Sequence, residues 1–387
     1  MTAETAPEHP APEHPAPEHP EPGRRGPGRR TLLTGAALAG AVAAGGAAAA
    51  HLATRAPAGL EGVRIPELAA EDLTRFGFTI RGPVLDAMEP FEEDLRVVRD
   101  LGLGSVRFSL PIHESAADWG VRGGAVVGPV VLDEAWTGVI VSALDAAAEH
   151  GLAVCAMGIG VYPHEDLPDA LLPQVMASYW GALAAAVAPR TPQWQILNEP
   201  DGSDFRTYEM LDPLARPDYV DRLAALLGAV REAIHAVMPG SEVTTNLYGF
   251  PVDAAILERW TTLLDVLAPH LDAITVDAYP ETGSSALVHL VEYLDVLAER
   301  YGKPVHVGEI GVKTCAACST VAEQAGAYAR YLRSLTASRA RSVHFYTLRD
   351  QEDDTERFGV LDAEGRERPA FRLLQETAEE TSRAADG

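Results

Sequence analysis

From about Gly59 onward the chain alternates short apolar runs with longer stretches whose apolar residues recur at helical spacing. The strand-like runs cover 77–81, 105–110, 152–159, 193–198, 242–248, 273–279, 304–309 and 342–348, eight in all. Predicted helices lie between them over 91–101, 133–150, 170–188, 219–237, 254–267, 286–300 and 322–335. Gly151, Pro192, Pro239-Gly240, Pro269 and Gly302-Lys303-Pro304 punctuate the joints. Strands that alternate with helices build a parallel sheet, and eight of them close most simply into a single (β/α)8 barrel. An open doubly wound sheet is the alternative, but no Gly-x-Gly-x-x-Gly follows the first strand and nothing points to a nucleotide. The 387 residues suffice for one such barrel, expected over 59–380, plus a tail.

Hydrophobic residues at 47% and charged residues at 22% fit a soluble protein with a full core. A formal net charge of -25 argues against nucleic acid or an anionic membrane as partner, because both are bound through clustered Lys and Arg. Residues 1–28 form a Pro/Glu/His-rich tail that repeats Pro-Glu-His-Pro and cannot assemble a core; its His9, His14 and His19 are expected to be solvated. Residues 29–50 follow as Arg29-Arg30-Thr31-Leu32-Leu33-Thr34 and an Ala/Gly-rich run, the pattern of a twin-arginine export signal. Alanine and glycine contribute little to insertion, so cleavage rather than a lasting membrane span is expected, with a secreted or envelope-associated product.

Two strand tips carry the chemistry. Gln193-Trp194-Gln195-Ile196-Leu197 runs into Asn198-Glu199-Pro200, and Val305-His306-Val307-Gly308 runs into Glu309-Ile310-Gly311. Barrel active sites stand at the carboxyl ends of the strands, so the fourth and seventh strands each deliver a glutamate to one mouth. Two opposed carboxylates are the machinery of glycoside hydrolysis. On its own, Asn-Glu-Pro also reads as a helix start, with Asn198 as cap and Pro200 in the first turn.

With both tips in place, residues 75–372 resemble the clan A glycoside hydrolases, (β/α)8 enzymes that retain anomeric configuration. The resemblance implies that Glu199 is the acid/base and Glu309 the nucleophile. It also implies that Arg107, in Ser105-Val106-Arg107-Phe108, holds the nucleophile ionised, that Tyr279 hydrogen-bonds it, and that Asn198 contacts the sugar 2-hydroxyl. Two departures stand out. Asp277 occupies a place where many clan members carry histidine. In strand eight, His344-Phe345-Tyr346-Thr347 offers Phe345 or Tyr346 as the sugar platform instead of a tryptophan. Trp119, in the loop after strand two, is a candidate wall of the cleft, with simple packing as the other reading.

Cys155 reads as a buried thiol, and Cys315 and Cys318 as a loop-stapling disulfide after export, with a reduced, inert pair as the alternative. No metal is expected, since His113, His164, His289, His306 and His344 form no ligand-spaced pair, and no cofactor is required. The expected function is hydrolysis of β-O-glycosidic bonds in a neutral oligo- or polysaccharide by double displacement. Acidic side chains over 350–354 argue for neutral over uronic sugars. A catalytically silent glycan-binding barrel on the envelope is the alternative.

Overall fold

The computed structural model describes residues 68–385 apart from 159–166, 191, 206–209, 281, 283–284, 316 and 352–356. The repeat tail, the twin-arginine segment and His164 lie outside the described residues.

Eight parallel strand positions form the barrel: β1 (Phe76–Thr79), β2 (Ser105–Leu110), β3 (Ala153–Gly158), β4 (Gln193–Gln195), β5 (Val243–Thr244 and Asn246–Gly249), β6 (Ile274–Ala278), β7 (Val305–Ile310) and β8 (Ala340–Phe345). β4 pairs with the first half of β5 through Trp194↔Val243, and β6 pairs with the second half through Asn246↔Thr275. The two ends of the hydrogen-bonded sheet are therefore halves of one strand, so the ring closes across Thr245. Every residue of β6 and β7 is buried, as expected of strands enclosed by a lumen on one side and helices on the other.

A one-turn helix, Ala70–Leu73, precedes β1, and the helices around the barrel are α1 (Glu89–Asp100), α2 (Glu134–Glu149), α3 (Leu172–Val187), α4 (Pro217–Val237), α5 (Ala254–Leu267), α6 (Ala286–Tyr301), α7 (Val321–Thr336) and α8 (Pro369–Ala385). Local chemistry sets several ends. Asp133 caps α2 by accepting from Trp136 N at 3.0 Å, Thr320 and Glu323 form a reciprocal capping box on α7, and α6 stops on Gly302 in the left-handed region at φ 61. Apolar periodicity predicts the first seven helices and misses α8, whose buried stripe has only Ala370, Leu374 and Ala378 as apolar members, alongside Thr377 and Thr381.

The wall between strands and helices is aromatic. Trp180 of α3 meets Trp194 of β4 edge-on at 5.6 Å, and Phe345 of β8 lies between Phe76, Phe78 and Tyr328 of α7. At the opposite end from the strand tips, His306 Nε2 lies 2.9 Å from Glu242 Oε1 as an ion-pair contact and its Nδ1 faces Ser342 Oγ at 2.8 Å, which gives that histidine a structural place.

Candidate active site

The sequence pattern puts the fourth strand through residue 198, but β4 ends at Gln195. Past Ile196, which still donates to Thr244 O at 2.9 Å, side chains replace the ladder. Gln195 Nε2 and Thr245 Oγ1 donate to Leu197 O at 3.1 and 3.2 Å, and Glu199 N donates to Asn246 Oδ1 at 2.8 Å. Freed from the ladder, Glu199 adopts φ 45. A non-glycine residue pays roughly 1–3 kcal/mol for such a conformation, which persists only where surrounding contacts over-determine it. Its carboxyl is thereby turned into the barrel, where the residue is 6% exposed.

Glu309 arrives from β7 on the other side. Its Oε1 accepts from Arg107 Nη1 at 2.7 Å, and its Oε2 accepts the Tyr279 hydroxyl. The Arg107 side chain, rooted in β2, has no exposed surface. It donates besides to Thr79 Oγ1 (3.2 Å), Gln195 Oε1 (2.9 Å) and Asn198 Oδ1 (2.8 Å), so a single planar fork ties together β1, β4, the segment after β4 and β7. Burial by itself would push the guanidinium down, but the Glu309 and Asp277 carboxyls raise it further and keep it charged.

One carboxyl oxygen each from Glu199, Asp277 and Glu309 lies within 4.8 Å of the others. The positive charge that a bound cation would bring to such a cluster is already supplied by Arg107. Glu199 is pushed well above the usual carboxylate range, first by burial and then by the neighbouring Asp277, Glu309 and Asp201 charges. Asp201, buried beneath the site, is pushed up to about 6 by burial, against the opposing pull of Tyr248 N–H and Arg259. The two strand-tip glutamates thus sit in unlike surroundings: Glu309 is ion-paired and hydrogen-bonded, whereas Glu199 has carboxyls for neighbours.

The structure brings Glu199, Glu309, Asn198, Arg107 and Tyr279 into one constellation. Asn198 Oδ1 accepts from Arg107, Gln195 and Asn246 together, which leaves its Nδ2 donor as the group to offer a ligand. Tyr346 is half-buried beside Tyr279 at 6.4 Å and Phe358 at 5.4 Å. Phe345 is not a platform. Period-two alternation sends it outward, and it is fully buried against the helix layer. Trp119 likewise packs: two short ribbons, Ala116–Asp118 with Val131–Leu132 and Val121–Arg122 with Ala125–Val126, fold its ring onto Tyr179 of α3 at 5.2 Å. Cys315 and Cys318 are joined in a disulfide, and Cys155 is a buried free thiol pushed up to about 12 by burial. Asp350 is not a free charge on the mouth, since it accepts from Gly359 N at 2.7 Å and pairs with Arg368.

Sequence reasoning missed Gln195 and Asn246. Gln195 accepts from Arg107 and donates to Asn246 Oδ1 at 2.9 Å; Asn246 Nδ2 donates to Asn198 Oδ1 at 2.9 Å and to Asp277 Oδ2. An amide inside an apolar barrel strand was the available signal for both. Also missed was an aromatic arc around Tyr279, in which Phe250 stands at 6.2 Å, Tyr248 at 6.5 Å and Phe358 at 5.7 Å. Its members come from β5 itself and from the segments after β5, β6 and β8, so no local pattern announces it.

No protein-family model matches the chain, and no curated protein does. Solved structures do. β-Glycosidase BGL167 is 17% identical, with 76% of this chain and 87% of that one covered at a TM-score of 0.54. The β-glycosidase of Thermosphaera aggregans is 13% identical over 80% and 96%, at 0.59. The family 1 β-glucosidase of Thermotoga maritima is 13% identical over 77% and 87%, at 0.56. At these identities the likeness establishes the fold, an α/β barrel of the kind those enzymes have.

Proposed function

We propose that this protein is a β-glycoside hydrolase that retains anomeric configuration. The observation that carries the reading is the Glu199–Glu309 pair: carboxyl oxygens within 4.8 Å at the mouth of the barrel, in opposite electrostatic surroundings. Retaining enzymes hold their carboxyls about 5–5.5 Å apart, whereas inverting ones leave about 6.5–9.5 Å for a water.

Glu309 attacks the anomeric carbon as the bond to the leaving oxygen breaks, and that oxygen takes the proton held by Glu199. Glu199, now ionised, removes a proton from water; the water oxygen then attacks the anomeric carbon and releases Glu309. Asn198 Nδ2 is placed to bond a sugar hydroxyl, and Tyr346, Phe358 and Phe250 supply the apolar wall that a pyranose face needs. Arg107 is already paired with Glu309, which leaves the carboxyl cluster no free cation among the described residues to offer a uronate and favours a neutral glycone. Arg29-Arg30 would direct export, to an oxidising destination in keeping with the Cys315–Cys318 disulfide.

The test is turnover by the wild-type protein on a panel of neutral aryl-β-glycosides and β-linked polysaccharides, with the anomer of the first product followed by NMR. A β-configured first product supports retention. Binding without any turnover would instead make the barrel a silent glycan-binding module.

A further inference from the structure

Asp277 enters the site as the third carboxyl, and nothing in the double-displacement chemistry calls for it. It stands on β6 opposite Glu309, where the β6–β7 register slips so that Val276 faces Val307 and Asp277 faces Glu309. Gly308, the residue passed over, has no room for a side chain: a Cβ there would lie 2.5 Å from Asp277 Oδ1. The carboxyl is wholly buried. Its Oδ2 accepts from Asn246 Nδ2, and its Oδ1 has no hydrogen-bond partner among the described residues. An ionised oxygen so placed would be a buried negative charge with no donor, a costly arrangement that a bound proton relieves.

Charge counting leads the same way. The charged and titratable groups that act on Asp277 are Glu309 from β7, Arg107 from β2, Glu199 and Asp201 from the segment after β4, Cys155 from β3 and Tyr279 just past the end of β6. Arg107 is the sole cation among them, and Glu309 already claims it. Burial and the Glu309 charge push Asp277 well above the usual carboxylate range.

We propose that Asp277 is a positioning residue that stays neutral while the enzyme works, holding Asn246 and through it the Glu199 backbone and the Asn198 amide. This rests on the hydrolase reading for its consequence. With Asp277 neutral, the cluster carries a single negative charge against Arg107 at each stage, on Glu309 before attack and on Glu199 once Glu309 is esterified. An ionised Asp277 would add an unbalanced charge to both half-reactions.

The experiment compares full-length wild type, Asp277→Asn and Asp277→Ala. Asparagine keeps an acceptor for Asn246 and cannot ionise. A carboxyl whose folded pKa is raised gives its full stability below the unfolded value, about 3.9, and loses it as pH rises toward the folded value. Asp277→Asn should therefore gain on wild type in denaturant midpoint as pH rises from about 5 to about 8, by up to about tenfold in folding equilibrium constant per pH unit. A gap that stays constant over that range overturns the proposal, whatever the protein's activity. On an aryl-β-glycoside that wild type cleaves, Asp277→Asn should keep kcat within about tenfold, while Asp277→Ala, which releases Asn246, should lose about 100-fold or more in kcat. Equal losses in the two variants would mean that the ionised form is needed and would also overturn it. If wild type cleaves nothing, the hydrolase reading fails and the stability comparison still decides the state of Asp277.

Discussion

Arg107 Nη1 and Glu309 Oε1 stand 2.7 Å apart, with the guanidinium carrying no exposed surface and the carboxylate side chain 9%. Such a pair adds little stability relative to well-packed apolar residues, but removal of one partner strands the other charge. Arg107 therefore joins four separate parts of the barrel through its hydrogen bonds.

Arg107→Met should lower unfolding free energy by about 3–5 kcal/mol, read from denaturant midpoints at neutral pH. Adding Glu309→Gln to it should recover part of that loss, because the stranded charge is gone. Strictly additive losses in the double variant would show that the two side chains are not coupled.

The two glutamates should fail differently when removed. Glu309→Ala should abolish turnover of aryl-β-glycosides, since no glycosyl-enzyme forms. Glu199→Ala should still release a burst of phenol from substrates with good leaving groups and then stall until azide replaces the activated water. Retention of wild-type rates by both variants would remove Glu199 and Glu309 from the chemistry.

Asp201 offers a test by pH. It lies at about 6 in the fold against 3.8 when unperturbed, so the stability that goes with its neutral form is complete below pH 3.8 and is lost as pH rises to about 6. Asp201→Asn should thus gain on wild type across that window, by roughly 2–3 kcal/mol in total, and hold the gain above it. Its charge also helps keep Glu199 protonated, so the same substitution should move the alkaline limb of kcat/KM to lower pH. An unmoved limb would show that Asp201 is electrically remote from the acid/base.

Phe345 and Tyr346 are neighbours in sequence with opposite assignments. Phe345→Ala should cost about 3–5 kcal/mol in stability through the cavity left between Phe76, Phe78 and Tyr328. Tyr346→Ala should leave melting nearly unchanged and raise KM for aryl-β-glycosides. The reverse pattern would restore Phe345 as the platform.

Apolar period and glycine–proline punctuation were enough to specify the eight strands, seven of the helices and the two strand tips that carry Glu199 and Glu309. Burial on both faces makes barrel strands continuously apolar, and that signal is local. The side-chain alternation that sends Phe345 to the helix layer and Tyr346 to the mouth was also present in the sequence, but its phase depends on where β8 meets β1. What lies beyond reach of local pattern is the polar lattice inside the barrel. Gln195, Asn246 and Asp277 belong to three different strands, and nothing in its own segment links any one of them to the others. Only closure of the ring places Asn246 against both Glu199 N and Asp277 Oδ2. The left-handed turn at Glu199 follows from that contact, and the upward push on the Glu199 and Asp277 carboxyls follows from their burial among neighbouring carboxyls. Charge interactions among buried groups depend on distances across the lumen, and those distances exist only once the chain has closed on itself.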